Sequence, residues 1–392
     1  MITLLLAVIY LAFIGLGLPD SLLGAAWPAI YRDLDAPFSF AGVLAIIISA
    51  GTIISSLNTD RLTKALGTGR VTAFSVGLTA IALFGFSFSD SLWLLCLWAI
   101  PYGLGAGSVD AAINNYVAVN FKSQHMSWLH CMWGVGAALG PYLMGTALAN
   151  GHSWTTGYQL VGALQVALTA ILFASLPLWS RKKMQDDAAA GLAETQVLSL
   201  RQVLSLPGAK PLGLCFFCYC ALEQTAILWG SSYLSLAQGF STEAAATFAS
   251  IFLLGITVGR ALSGFLALKI HDHAMIRLGQ AFIALGLLAL VLPFGQAVTL
   301  GGLLLMGLGC APIYPSIIHA IPALFGAEKS QAVTGVQMAS AYLGPLTMPP
   351  LFGLLANHLT VAIFPAFMAV LLVLMVLMHE RILRNKKPSG VF

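Results

Sequence analysis

Long apolar runs separated by short polar gaps recur along almost the whole chain. Each run has about 20 residues, the length that an α-helix needs to cross the hydrocarbon core of a bilayer. The strands of a membrane β-barrel would instead give alternating segments of about ten residues. The pattern predicts an all-α integral membrane protein with twelve spanning helices, over residues 3–26, 39–58, 71–88, 91–117, 127–149, 155–178, 211–236, 244–268, 275–294, 297–320, 331–355 and 359–379.

The composition favours the same environment. Of the 392 residues, 59% are hydrophobic and 8% are charged, and the mean hydropathy is +0.90. Soluble domains carry about 25% charged residues, so this chain is too apolar for an ordinary water-exposed surface. The first apolar run has no basic segment before it and no small-residue cleavage site, so we expect a retained helix rather than a signal peptide.

Lysine and arginine are distributed unevenly between the loops on the two sides of the predicted membrane. Basic residues accumulate in cytoplasmic loops, and this bias sets the orientation. Of the 18 basic residues, 16 fall in one alternating set of loops: Arg61, Lys64, Arg70, Lys122, Arg181, Lys182, Lys183, Arg201, Lys210, Lys269, Arg277, Lys329, Arg381, Arg384, Lys386 and Lys387. We therefore predict a multi-pass protein of the cell (inner or plasma) membrane with both termini in the cytoplasm, and no nucleic-acid partner.

The longest polar stretch, residues 180–210, divides the predicted helices six and six. We interpret it as a cytoplasmic linker between an N-terminal six-helix bundle, residues 1–179, and a C-terminal one, residues 211–380. Residues 381–392 then form a cytoplasmic tail. Matching residues recur between the halves at one offset of 204: Gly51 with Gly255, Gly103 with Gly307, Gly105 with Gly309, and Gly140-Pro141 with Gly344-Pro345. Two pseudo-symmetric bundles of this kind are the architecture of the major facilitator fold, which binds substrate near the bilayer midplane.

Charged side chains at membrane depth are costly unless they are paired or hydrated, so each one is a functional candidate. Asp110 and Asn114 are four residues apart and share a helix face, and His130 has a similar depth on the next helix. Burial favours the neutral form of a carboxyl group and a nearby imidazolium opposes this, so the pair can exchange a proton near neutral pH. We predict proton coupling at Asp110, with His130 and Asp20 as further candidates. His130 as a packing or interfacial residue remains the alternative.

Polar and aromatic residues on several predicted helices suggest a hydroxylated ligand. Carboxylates and amides hydrogen-bond hydroxyl groups, and an aromatic ring packs against the C–H face of a sugar. The substrate-binding candidates are Asp20, Asn114, Asn115, Glu223, Gln224, Trp229, Tyr314, His319 and Gln337. Polar residues also join helices to one another, and a tryptophan can belong to the aromatic belt at the membrane interface. Both interpretations stay open.

Asp60-Arg61, after the second predicted helix, partly matches the signature G-x-x-x-D-R-x-G-R-K of the major facilitator superfamily. Such an acid–base cluster at a helix end can hold neighbouring helices in one conformational state, although the basic residues could also be simple topological anchors. Arg260, within the eighth helix, is predicted to form a structural pair or gate rather than to contact substrate.

Cys215 and Cys218 have CxxC spacing but no second ligand pair, so we expect packing roles, no metal and no cofactor.

The acids on the first and fourth predicted helices resemble those of the fucose–galactose–glucose:proton symporter family. Asp20 matches the helix 1 acid of that family. Asp110 matches its helix 4 acid, followed by Asn114-Asn115-Tyr116-Val117, where Asn115 replaces a frequent proline. The resemblance implies that Asp110 carries the proton and that Asp20 contacts the sugar.

The leading hypothesis is a monomeric, proton-coupled symporter of a sugar or related polyhydroxylated small molecule, working by alternating access. A proton-driven efflux antiporter for drugs or metabolites is the alternative, although its cavity should contain fewer amides than Asn114, Asn115, Gln224 and Gln337 provide. A membrane sensor without transport is a third possibility, but the linker and tail are too short for a signalling domain. We expect no enzyme, because the sequence contains no nucleophile motif, metal-binding cluster or nucleotide-binding loop.

Overall fold

The computed structural model describes residues 2–37, 40–179, 198–240 and 242–384, and the regular structure in these ranges is helical. This confirms the all-α prediction. The α-helices are α1 (Ile2–Asp20), α2 (Leu22–Asp33), α3 (Phe40–Leu66), α4 (Thr68–Ser87), α5 (Leu92–Asn120), α6 (Ser123–Ala149), α7 (Trp154–Ala174), α8 (Leu200–Ser205), α9 (Ala209–Gln238), α10 (Thr242–Leu266), α11 (Asp272–Val291), α12 (Gln296–Cys310), α13 (Ile313–Phe325), α14 (Ala327–His358) and α15 (Phe364–Arg384).

The predicted membrane spans correspond to these helices. Within the described residues, nine helical segments are long and apolar enough to cross a bilayer, and two of them combine helices: α1 with α2, and α12 with α13. The remaining predicted spans are α6, α10 and α14. Both α6 and α14 contain glycine, proline and polar residues along their length, including Pro141 in α6 and Pro345, Pro349 and Pro350 in α14. Large apolar side chains such as Trp93, which is 83% exposed, cover helix surfaces, as expected where lipid is the solvent.

The chain divides into two compact units. Unit 1 contains the described residues of Met1–Val117, Leu129–Leu198 and Ala327–Gly335, and unit 2 those of Ala118–Trp128, Ser199–Gly326 and Val336–Phe392. Each unit therefore includes a short segment of the opposite sequence half. Of the predicted linker, 180–197 lie outside the described residues, as do 385–392 of the tail. The linker ends in the short helix α8, whose first turn is closed by a reciprocal capping box between Ser199 and Gln202.

The sequence repeat is visible as equivalent close approaches inside the two units. In unit 1, a Cβ atom at Gly103 would lie 2.2 Å from the main-chain oxygen of Ile48, so α5 and α3 touch through their backbones. In unit 2, a Cβ atom at Gly307 would lie 2.1 Å from the main-chain oxygen of Phe252, so α12 and α10 do the same. The two contacts are equivalent in the repeat, because Gly103 and Gly307 differ by 204 residues and so do Ile48 and Phe252. Small residues at these positions allow helices to approach in a bilayer, where packing drives association.

The first spanning segment is interrupted next to a candidate site residue. Pro19 lies in the last turn of α1, which ends at Asp20, and Ser21 separates it from α2. A proline within a helix removes one backbone hydrogen bond and perturbs the preceding turn. The interruption follows the sequence Gly-Leu-Gly-Leu-Pro-Asp, and it places a carboxylate at a broken helix end inside the membrane-spanning region.

Candidate functional site

The first cluster of buried polar residues lies in unit 1, where α5 and α6 face each other. Asn114 donates from Nδ2 to Asp110 Oδ1 at 2.7 Å, and its Oδ1 is 3.0 Å from His130 Nε2. All three residues are buried. The amide oxygen can only accept, so His130 must carry a proton on Nε2. The predicted acid, amide and histidine are thus assembled, with Asn114 as the bridge between the other two.

The second cluster in unit 1 surrounds Asp20, an exposed residue at the end of α1. The indole Nε1 of Trp133 donates to Asp20 Oδ2 at 2.7 Å, and the hydroxyl of Tyr102 donates to Oδ1 at 3.3 Å. Sequence reasoning missed both donors. The sequence did carry a signal for Trp133. It lies three residues after the candidate His130, and residues three apart on a helix lie on the same face.

Asp20 and Asp110 are held by the same two helices but by different partners. Tyr102 and Asp110 are both on α5, and the eight-residue separation corresponds to about 12 Å along the helix axis. His130 and Trp133 are both on α6. Asp20 therefore has an aromatic, solvent-accessible environment, whereas Asp110 has a buried amide and imidazole environment. This arrangement supports separate roles for the two carboxylates rather than a dyad that shares one proton.

Unit 2 contains a buried ion pair in place of such a cluster. Arg260 Nη2 on α10 lies 3.4 Å from Glu223 Oε1 on α9, and both residues are buried. Tyr219 and Tyr314 lie close enough to the guanidinium to interact with it. The sequence predicted a structural pair or gate for Arg260 without naming the partner, and a substrate contact for Glu223. The structure brings these two residues together.

Other substrate-binding candidates in unit 2 make contacts between helices. Trp229 donates from Nε1 to the main-chain oxygen of Pro349 at 2.9 Å. Gln337 is fully buried and donates from Nε2 to the main-chain oxygen of Ala209 at 3.1 Å. Tyr314 packs edge-on against Phe216, with 4.7 Å between ring centroids, and its hydroxyl lies 3.4 Å from Met338 Sδ. Gln224, next to Glu223 on α9, is partly buried.

Asn115 and His319 also have well-defined partners. In unit 1, Asn115 Nδ2 donates to Gln331 Oε1 at 3.0 Å, and its Oδ1 accepts from the hydroxyl of Ser330. In unit 2, His319 contacts Asp272 and the main-chain oxygen of Phe121. The adjacent residues Asn114 and Asn115 therefore bind different groups, because successive side chains on a helix point about 100° apart.

The predicted acid–base cluster at the end of α3 is present in part. Lys64 Nζ lies 2.9 Å from Asp60 Oδ2, one helical turn away, and Asp60 is buried. Asp60 Oδ1 has no hydrogen-bond partner among the described residues. Arg61 is exposed.

The six cysteines are free thiols, and no group of three or more metal-ligating side chains is assembled within the described ranges.

Comparison with known proteins places these clusters in context. The family model of the Major Facilitator Superfamily matches residues 9–304. The uncharacterized transporter y4wD of Sinorhizobium fredii is 26% identical over 359 residues, covering 88% of this chain and 91% of that protein. The fucose:proton symporter of E. coli has a TM-score of 0.74 at 17% identity, covering 98% and 99% of the two chains. A proton:xylose symporter bound to 6-bromo-6-deoxy-D-glucose has a TM-score of 0.75 at 12% identity, covering 95% and 94%. At these identities, the structural likeness concerns the fold alone.

Proposed function

The chain belongs to the major facilitator superfamily, and on that premise we propose that it is a proton-coupled symporter of a sugar or related polyhydroxylated small molecule. It is a multi-pass membrane transporter and not an enzyme. The proposal includes alternating access by a monomer in the cell membrane with both termini in the cytoplasm. Labelling of a cysteine placed in the tail by a membrane-impermeant reagent, applied outside intact cells, would contradict this orientation.

The hydrogen-bonded chain of Asp110, Asn114 and His130 is the observation that carries the proposal. A carboxylate buried at membrane depth favours protonation because burial disfavours the charged form. Asn114 is a neutral donor, so it stabilises the ionised carboxylate of Asp110 less strongly than a permanent cation would. His130 Nε2–H completes the chain on the other side of the amide. Asp110 can therefore alternate between a protonated and an ionised state during the cycle.

The cluster around Asp20 supports binding of a hydroxylated substrate. Its carboxylate oxygens are acceptors for hydroxyl groups, and Asp20 is an exposed residue. The indole of Trp133 fixes the carboxylate through one hydrogen bond and remains partly exposed beside it. A sugar presents hydroxyl groups for the acid and an apolar C–H face for the ring. The fucose and xylose substrates in the names of the structural relatives are consistent with this chemistry.

The shared helices provide a route for coupling between proton and substrate. Because α5 and α6 each contribute to both clusters, a change in the Asp110 cluster can alter the geometry around Asp20. If protonation increases substrate affinity, substrate binding must increase proton affinity by the same factor. This reciprocity allows a proton gradient to drive accumulation of the substrate.

The test uses purified protein in proteoliposomes with an imposed pH gradient. A thermal-shift screen of monosaccharides and polyols first selects the radiolabelled probe that stabilises the wild type most. Asp110→Asn mimics the protonated acid, so accumulation should fall to the external concentration while counterflow exchange is retained. Asp20→Asn should instead weaken binding of the probe.

Accumulation at the wild-type level in Asp110→Asn would contradict its role as the coupling site, and Glu223 would become the next candidate. A screen in which only apolar or cationic compounds bind and are driven against the proton flux would replace the symporter proposal by proton-driven efflux. Binding of a monosaccharide with no transport in either direction would favour a sensor.

A further inference from the structure

A second histidine–carboxylate pair lies in unit 2. His319 Nδ1 on α13 is 2.6 Å from Asp272 Oδ2, and His319 Nε2 is 3.1 Å from the main-chain oxygen of Phe121. Asp272 is the first residue of α11 and also accepts a hydrogen bond from the hydroxyl of Ser123. The ring thus connects α13 and α11 with the turn segment, residues 118–128, which comprises the end of α5, the connection after it and the start of α6.

The two contacts of the ring define how many protons the pair holds. A carbonyl oxygen can only accept hydrogen bonds, and so can an ionised carboxylate. A neutral imidazole has one N–H group, so it can satisfy either Phe121 or Asp272 but leaves its other nitrogen lone pair facing an acceptor. The complete geometry requires one further proton. Opposite the ionised carboxylate, this proton makes His319 an imidazolium that donates to both oxygens.

We propose that His319 and Asp272 form a second proton-binding site, whose occupied state holds the turn segment against α11 and α13. Loss of the proton to water breaks the contact with Phe121 or the contact with Asp272. The turn segment is then less firmly held in unit 2. This proposal concerns a proton other than that of Asp110 and does not depend on the identity of the substrate.

The location of the pair suits reversible proton exchange. The His319 and Asp272 side chains are 20% and 17% exposed, so water can reach them. Asp272 occupies the first turn of α11, where the helix dipole stabilises a negative charge and hence the form with imidazolium and carboxylate. The titratable or charged side chains on the elements around the ring are Lys122 and His125 in the turn segment, Asp272, His273 and Arg277 on α11, Tyr314 on α13, and His271 just before α11. Of these, Asp272 is the one bonded to the ring.

The turn segment has a particular place in the chain. It follows the part of α5 that carries Asp110 and Asn114, and it leads into α6, which carries His130. A proton at His319 therefore restrains the connection between the two helices of the proposed coupling site. The second site can act on the transport cycle without touching the substrate.

Hydrogen–deuterium exchange of residues 118–128 in the full-length protein tests the proposal directly. Protection is measured relative to the intrinsic exchange rate at each pH, from below to above the ordinary histidine pKa of about 6.5. Wild-type protein should lose about tenfold in protection in one step as pH rises, the effect of losing one hydrogen bond. His319→Gln should be weakly protected at every pH. His319→Arg, a permanent cation with several donors, should remain protected at every pH.

Matched controls separate this site from other histidines and from Asp110. His125→Gln removes the histidine of the turn segment itself and should retain the step. Asp110→Asn should also retain it while losing accumulation, so the two proposals can fail independently. A step that persists in His319→Gln, or its absence in the wild type, would contradict the second site.

If His319→Gln does not fold, imidazole ¹⁵N shifts of histidine-labelled wild-type protein replace the variant. One histidine should remain cationic at pH values where the exposed histidines are neutral, and His125→Gln should leave its signal unchanged. A spectrum in which every histidine is neutral there would overturn the proposal.

Discussion

Asp110 of unit 1 and Glu223 of unit 2 are both buried acids, and their surroundings differ. In unit 1, Asn114 donates to Asp110 and connects it to His130. In unit 2, Glu223 is paired directly with the guanidinium of Arg260. An arginine remains charged at all relevant pH values and therefore favours the ionised partner. The comparison teaches that a buried acid beside a permanent cation suits a structural role, whereas an acid beside an amide can exchange a proton.

The 204-residue repeat shows that this chemistry was not duplicated. At the repeat offset, Asp110 corresponds to Tyr314, Asn114 to Ile318 and His130 to Thr334. Tyr314 lies beside the arginine of unit 2 rather than in an acid cluster. The close helix packing is therefore common to both units, while the polar residues at equivalent positions differ.

The largest effect should come from breaking the ion pair on one side only. Arg260→Met leaves Glu223 buried without its counter-ion, which should cost about 3–5 kcal/mol of stability. The double variant Arg260→Met/Glu223→Gln should recover most of this loss because no buried charge remains. Thermal unfolding of the purified proteins measures both. Asp110→Asn is the comparison in unit 1 and should change stability by less than about 1 kcal/mol. Equal destabilisation by Arg260→Met and Asp110→Asn would show that the two acids are held alike.

A smaller effect is expected from removing the amide bridge in unit 1. Asn114→Ala deletes the donor to Asp110 and the acceptor for His130, and hydrogen bonds to charged groups contribute about 1.5–3 kcal/mol. Proton-driven accumulation should fall by about tenfold or more, with a changed pH dependence. Asn115→Ala is the matched control, because Asn115 contacts Ser330 and Gln331 instead. Its pH profile should match the wild type, and a similar change in both variants would argue against a specific role of Asn114.

The smallest effect is expected at Asp20. Trp133→Phe keeps an aromatic ring but removes the indole donor, so Asp20 loses one hydrogen bond. The KM for the probe sugar should rise by about three- to tenfold, consistent with about 0.5–1.5 kcal/mol for a single hydrogen bond. The ratio of accumulated to external probe should stay near that of the wild type, because the Asp110 cluster is untouched. Loss of accumulation with an unchanged KM would assign Trp133 to coupling instead of binding.

Much of the architecture could be predicted from the order of residues along the chain. Bilayers tolerate spanning segments only when the backbone is hydrogen-bonded internally, so long apolar runs predict helices with little ambiguity. The approximate positions of the twelve spans and the correspondence of Gly103 with Gly307 followed from local sequence and from the repeat. Asp110, Asn114 and His130 could be grouped because i,i+4 spacing and similar depth restrict where they lie.

The tertiary structure decided which polar groups actually meet. Trp133 and Asp20 are 113 residues apart, and Arg260 and Glu223 are 37 apart, so helix periodicity gives no information about their contact. The rotation of each helix about its axis, set by close packing against its neighbours, selects the partner of each side chain. For that reason, the sequence by itself determined a membrane transporter fold with a few buried acids. Only the packed helices distinguished the acid paired with arginine, the acid bridged to histidine, and the histidine–aspartate pair at the turn segment.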